Sequence, residues 1–196
     1  MAQNRFQKQT HFVGILPPEG LSEAIENCRA WMAANFGCKS GHATPVHITI
    51  VPPFALEGEF MTRRLVRTVQ SAAEELISVG SFPFTARVGG FGAFGDRTIF
   101  AKVEQGDGWN RLREKITHAI QKEFPKIRRD TRAYQPHMTV ANRDIPPGAA
   151  ASALSYFSEL DVSASFATDN IAVFTRNGAG GWEALDENVI RLSEED

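Results

Sequence analysis

Two histidines, His47 and His137, each stand two residues before a threonine, Thr49 and Thr139. They lie in near-copies of one stretch, Pro45-Val46-His47-Ile48-Thr49-Ile50 and Gln135-Pro136-His137-Met138-Thr139-Val140. Apolar residues fill the alternate places, which is the pattern of a strand: His and Thr leave one face while Ile48 and Ile50, or Met138 and Val140, leave the other. Imidazole titrates near neutrality, so two of them can be held in opposite protonation states, one taking a proton while the other gives one. A threonine hydroxyl can donate to a phosphoryl oxygen whose negative charge grows during reaction. The four side chains therefore suit acid/base opening of a phosphodiester, and the residues alone do not say which histidine is the base. A single copy of so short a motif is more often a satisfied, half-buried strand histidine. Repetition on one strand face singles out these two from a chain of five histidines; His11, His42 and His118 read as structural or exposed.

Two rival readings use the same residues. A metal site requires a third protein ligand and closer companions such as His-Glu-x-x-His; no such set accompanies the tetrads, so neither a metal nor another cofactor is expected. A non-catalytic module could hold a phosphate or cyclic-phosphate end of RNA with the same four side chains. Further candidates for substrate contact are Phe54 and Tyr134, as stacking surfaces, and Arg143, as a phosphate-binding cation.

The chain has 196 residues and a formal net charge of −2. It fits one compact domain or two small lobes. It lacks the strong basic excess of a protein that grips long nucleic acid. The expected partner is a small nucleotide or an RNA end, without an extended nucleic-acid surface, and a monomer is the default. The basic cluster at 126–132 reads as a solvated loop. Cys28 and Cys38 lack metal-type spacing, the polar start at 1–10 has no apolar signal core, and no apolar run reaches membrane-spanning length. A cytoplasmic protein with free thiols and no membrane attachment is expected.

The elements that must position the motifs follow from periodicity. A strand at 11–16 precedes a helix from about 20 to 36, striped by Leu21, Ile25, Cys28, Met32 and Phe36, with Ser22 as a cap and Gly37 as its stop. The first motif strand should close at Pro52-Pro53. A helix at 59–77 carries Phe60, Leu65, Val69, Ala72, Ala73 and Leu76 inward. Strands at 82–88 and 97–103 flank a glycine-rich bend at 89–95. Gly90, Gly92 and Gly95 match Gly-x-Gly-x-x-Gly formally, but a strand follows where a dinucleotide site needs a helix. A helix from 107 or 108 to 124, the second motif strand, a short helix opened by Pro146-Pro147 and reaching 160, and strands at 162–167 and 170–175 complete the chain. An extended piece at 182–192 follows. The same order of elements spans 11–88 and 97–175, which points to an internal duplication. The fold class expected is α+β: a single bilobal domain over 1–196 with pseudo-twofold symmetry, two mainly antiparallel sheets around a central cleft, and helices on the outer faces.

At His47-Ile48-Thr49-Ile50 followed by Val51-Pro52-Pro53-Phe54, and at Pro136-His137-Met138-Thr139-Val140, the sequence resembles the two-histidine (2H) phosphoesterases. This is the superfamily of the 2′-5′ RNA ligase-like cyclic phosphodiesterases. The stretch 88–94 and the strand after it also look like that family's region between its motifs. The resemblance covers nearly the whole chain. It implies a bilobal fold with one His-x-Thr from each lobe on the floor of a V-shaped cleft. It further implies metal-independent hydrolysis of 2′,3′-cyclic phosphates to 2′-phosphates, or reversible 2′-5′ RNA joining.

Overall fold

The computed structural model describes residues 8–192. The strands are β1 (His11–Ile15), β2 (Ile48–Phe54), β3 (Thr85–Phe94), β4 (Thr98–Val103), β5 (His137–Asn142), β6 (Ala164–Ala167), β7 (Asn170–Arg176), β8 (Trp182–Glu183) and β9 (Val189–Arg191). The helices are α1 (Glu19–Phe36), α2 (Glu59–Ser78), α3 (Asp107–Glu123) and α4 (Ala149–Phe157). Every strand pairing is antiparallel. The order across the sheet is β6-β3-β4-β5-β2-β1-β7-β8, and β9 also pairs with β7.

The α+β class and the antiparallel pairing stand as expected, but the two expected sheets are halves of one. β2 and β5 meet at a single registered pair, Ile48 with Met138. Continued by antiparallel register, that pair would set Pro136 opposite Ile50, with Pro52 and Pro53 next along. Proline has no N–H for a ladder, so the strands part on that side. β2 itself does not close at Pro52-Pro53. It runs to Phe54, because β1 still pairs His11 with Phe54 on the opposite edge, where the Thr10 N–H donates to the Phe54 carbonyl at 2.8 Å.

Each motif strand lies beside the strand before it in sequence, β1 by β2 and β4 by β5. Beyond that comes a strand from the other part of the chain on one side, β7 by β1, and β3 by β4 on the other. The helices exchange too: α1 packs on β5, whereas α3 packs on β2. The helix-covered face is the core, into which α1 sends Leu21, Ile25, Cys28 and Met32, α2 sends Leu65, Val69 and Leu76, and α3 sends Trp109, Leu112, Ile116 and Ile120.

Several local expectations are corrected. Ser22 is not the cap of α1: Pro18 holds that position without a side-chain bond, and the Ser22 N–H already donates to the Pro18 carbonyl at 2.9 Å inside the helix. Phe60 sits in the first turn of α2, 68 % exposed, ahead of where that helix meets the core. α4 begins after Gly148, whose φ of 80° no residue inside a helix adopts. The glycine-rich stretch belongs to β3, its register shifting between Val88 and Phe91 around Gly90 at φ 66°, and the hairpin turn follows at Gly95.

Gly14 of β1 faces β2 closely. A Cβ there would stand 2.8 Å from the Ile48 carbonyl oxygen and 3.3 Å from the Phe174 ring. The obstacle is backbone, which cannot rotate away. Gly14→Ala is expected to cost about 1–3 kcal/mol of stability, read as a lower urea midpoint at unchanged slope; an unaltered midpoint would show that β1 and β2 have room to separate.

Candidate active site

Antiparallel register extends from Ile48 and Met138. One residue to either side, it sets His47 opposite Thr139 and Thr49 opposite His137. Alternation with the buried Ile48, Ile50, Met138 and Val140 turns all four side chains to the face away from the helices. His47 and Thr49 are half-buried, as are His137 and Thr139, and the residues between them are buried.

Both histidines are held alike. His47 Nδ1 lies 2.7 Å from the Pro45 carbonyl oxygen, and His137 Nδ1 lies 2.7 Å from the Gln135 carbonyl oxygen. A carbonyl only accepts, so Nδ1 carries the proton in each ring and Nε2 is the atom that exchanges one. Matching aromatic pairs wall the rings. Phe12 and Phe174 stack at 4.2 Å and lie 4.7 and 5.1 Å from His47. Phe94 and Phe100 stack at 4.3 Å and lie 5.2 and 5.1 Å from His137. Trp182 meets the edge of Phe12 at 4.8 Å. None of these aromatics was singled out in the sequence; Phe12, Phe100 and Phe174 stand on largely buried strands, where they look like core.

Where the β2/β5 ladder stops, side chains take up the backbone. Arg29 of α1, only 2 % exposed, donates from Nε and Nη2 to the Thr139 carbonyl at 3.1 and 2.9 Å, and from Nη1 to the Thr44 carbonyl at 2.8 Å. Its Nη1 also pairs with Glu26 at 2.8 Å. Tyr134 does the matching work on the other strand, its hydroxyl donating to the Thr49 carbonyl at 3.0 Å. Each threonine of the motifs is thus anchored by a side chain from the opposite part of the chain. Ser40 and Asp144 add a further staple, with Asp144 accepting from the Lys39 and Ser40 N–H groups at 2.6 and 2.9 Å. Arg29 was also missed; it lies on the stripe of Ile25 and Met32, and a cation on an apolar stripe was the available signal.

Burial pushes the His47 imidazole down to about 4, and the nearby Arg29 guanidinium and His137 push it the same way, against the Pro45 bond. Burial also lowers His137, opposed by its bond to Gln135. Burial raises the Tyr134 hydroxyl well above its usual range, so it stays a neutral donor.

Tyr134 is half-buried with its hydroxyl committed to Thr49 and the Arg113 guanidinium 4.7 Å over one face of its ring. Phe54 is buried and stacks on His11 at 6.1 Å. Arg143 is exposed beyond the end of β5, at φ 74°. Among the described residues, no three His, Cys, Asp or Glu side chains gather as a metal-ligand set, and no helix is long and apolar enough to cross a membrane.

The profile of the 2′-5′ RNA ligase superfamily matches residues 17–180. The chain belongs to this superfamily. Solved structures share its fold at low identity. TT0787 of Thermus thermophilus is 19 % identical with a TM-score of 0.63, over 95 % of this chain and 100 % of that one. E. coli LigT complexed with NADP+ is 16 % identical with a TM-score of 0.59, over 95 % and 99 %. LigT complexed with 3′-AMP is 17 % identical with a TM-score of 0.57 over the same shares. No curated protein matches by sequence. The 2H resemblance read from the motifs is the relationship these comparisons show, and it makes the chain a phosphoesterase- or ligase-like protein.

The carbonyl anchors are open to test. Arg29→Met orphans two carbonyls at roughly 1–3 kcal/mol each, and should lower unfolding free energy by about 2–6 kcal/mol. Tyr134→Phe orphans one and should lose about 1–3 kcal/mol. Arg29→Lys, whose single ammonium cannot span both carbonyls, should restore part of the loss. Urea unfolding of the three variants beside the parent decides it, and stabilities equal to the parent would remove these anchors from the argument.

Proposed function

We propose that this superfamily member is a phosphodiesterase that needs no metal and opens 2′,3′-cyclic phosphates to 2′-phosphates. His47 and His137 serve as its acid/base pair. The observation that carries the reading is the identical tethering of both rings through Nδ1, which leaves two Nε2 atoms on one face as the proton-exchanging groups. The nucleotides with which LigT is complexed, 3′-AMP and NADP+ among them, support a nucleotide or an RNA end as the substrate. The matching strand order in the two parts of the chain supports a duplicated, bilobal domain with a pseudo-twofold axis between the motifs.

In the hydrolytic direction His47 is the base. It carries, beyond burial, the influence of Arg29 and His137, which keeps it neutral. Its Nε2 takes a proton from water as the water oxygen bonds to phosphorus. The bond from phosphorus to the ribose 3′ oxygen breaks, and His137 Nε2 protonates that oxygen. Thr49 and Thr139 donate to the two non-bridging oxygens, whose charge rises as the fifth bond forms. A ribose 5′ hydroxyl in place of water would give a 2′-5′ linkage with the same proton movements, so joining and hydrolysis share one site.

Hydrolysis of nucleoside 2′,3′-cyclic phosphates in EDTA should yield the 2′-phosphate. His47→Ala and His137→Ala should each lower kcat by about 10²–10⁴-fold, and Thr49→Val or Thr139→Val by about 10²–10³-fold. Nucleotide binding without turnover by the parent would favour the binding-module reading instead. The pH dependence has a definite sign. His47 must be neutral, so kcat/KM rises with pH through about 4. His137 must be protonated, so kcat/KM falls as pH passes its value, which burial holds below 6.5. The bell should therefore lie on the acid side of neutrality for the free enzyme. Bound phosphodiester, an anion beside His137, should carry the alkaline limb of kcat to higher pH. A flat profile from pH 4 to 9 would sink the acid/base pair.

A further inference from the structure

The last stretch of β2 borders a cavity that the histidines do not share. A space of about 770 Å³ lies between Val51–Phe54, α3 and the loop at 127–132. None of His47, Thr49, His137 or Thr139 lines it, so it is separate from the motif face. Its charged lining includes Arg113, Arg128, Arg129 and Arg132, with the carboxylates of Asp130 and Glu114. Two of these arginines are committed to the loop itself. Arg132 grips Asp130 at 2.8 Å. Arg113 stands 3.8 Å from the same carboxylate and donates to the carbonyls of Asp130 and Arg132 at 3.3 and 3.4 Å. Arg128 and Arg129 are exposed and, among the described residues, have no ion-pair partner.

The loop that leads from α1 into the first motif strand is built differently. At Ser40–Ala43 it turns down onto β5, where a Cβ on the buried Gly41 would stand 2.5 Å from the Val140 carbonyl oxygen. Ser40 donates to Asp144 at 2.8 Å and staples it there. The loop from α3 into the second motif strand instead stands off from β2 and carries guanidinium groups into the space. Gathering like charges in a concave site costs free energy unless an anion offsets it. A guanidinium fork matches phosphate oxygens, and the volume is that of a small-molecule site, roughly 300–1,000 Å³. We propose that this cavity is a second ligand site, for a polyphosphate chain, free or carried by a nucleotide. Arg128 and Arg129 bind the chain against a loop that Arg113 and Arg132 hold in place. The site is independent of the reaction at the motif face. The cluster at 126–132, which reads in the sequence as a solvated loop, is one wall of it.

Calorimetric titration with inorganic tripolyphosphate, in EDTA at low salt, reads the site directly. The parent should bind it saturably, and more weakly as salt is added. Orthophosphate meets fewer guanidinium groups at once and should bind at least about tenfold more weakly. R128Q/R129Q, at exposed positions, should lose at least about tenfold in tripolyphosphate affinity at an unchanged urea midpoint. H47A/H137A should bind as the parent does. UTP titrated into H47A/H137A separates the two sources of the chain. Affinity no tighter than that of tripolyphosphate assigns the site to the free chain, whereas tighter binding that R128Q/R129Q removes assigns it to a nucleotide. No binding of tripolyphosphate by the parent, or binding that H47A/H137A abolishes and R128Q/R129Q retains, would overturn the inference and leave the phosphoesterase reading standing.

Discussion

Two strands that carry facing His-x-Thr motifs leave room between them only if they do not remain zipped along their whole length. A continuous ladder would hold β2 and β5 about 4.8 Å apart throughout, with no concavity for a substrate between them. One registered pair, Ile48 with Met138, is the compromise on which the site depends. It fixes the register, and so which side chains face each other, while leaving the strands free to part. Prolines favour the parting without any side-chain contact: Pro52 and Pro53 are adjacent, so one of the two nitrogens faces β5, and it has no hydrogen to give the ladder.

A ladder that stops leaves carbonyls without donors, and a buried orphan carbonyl is costly. Arg29 and Tyr134 answer that need for Thr139 and Thr49. Their chemistry differs in a way that bears on the histidines. Tyr134 is neutral, whereas Arg29 brings a buried cation toward His47 and depresses its proton affinity beyond what burial does. Two chemically similar rings, tethered alike and walled alike by phenylalanine pairs, are thereby given different electrostatic surroundings.

The His-x-Thr motifs could be read directly because period-two alternation states which residues share a face, and a repeat shows that the pattern is not accidental. Helix stripes were legible for the same reason, down to Leu65, Val69 and Leu76. Arg29 was hidden because a cation at a buried helix position declares its role only through its acceptors, and those are backbone atoms 15 and 110 residues away in sequence. Phe12, Phe100 and Phe174 were hidden because their strands are buried on both faces, so alternation disappears. Whether two half-sheets count as one depends on a single hydrogen-bonded pair, a detail beneath the reach of periodicity.

The exchange of elements between the two parts of the chain explains why such small anchors suffice. β7 crosses to lie beside β1 and β3 lies beside β4, while α1 and α3 each pack on the motif strand of the other part. Neither part alone has a finished sheet half or a covered core, so neither can shift without disturbing the packing of both. In a densely packed interior, displacement of one layer loses contacts across the whole layer. The relative placement of His47 and His137 is therefore held by most of the core, and Arg29 and Tyr134 need only settle the last few ångströms at the seam.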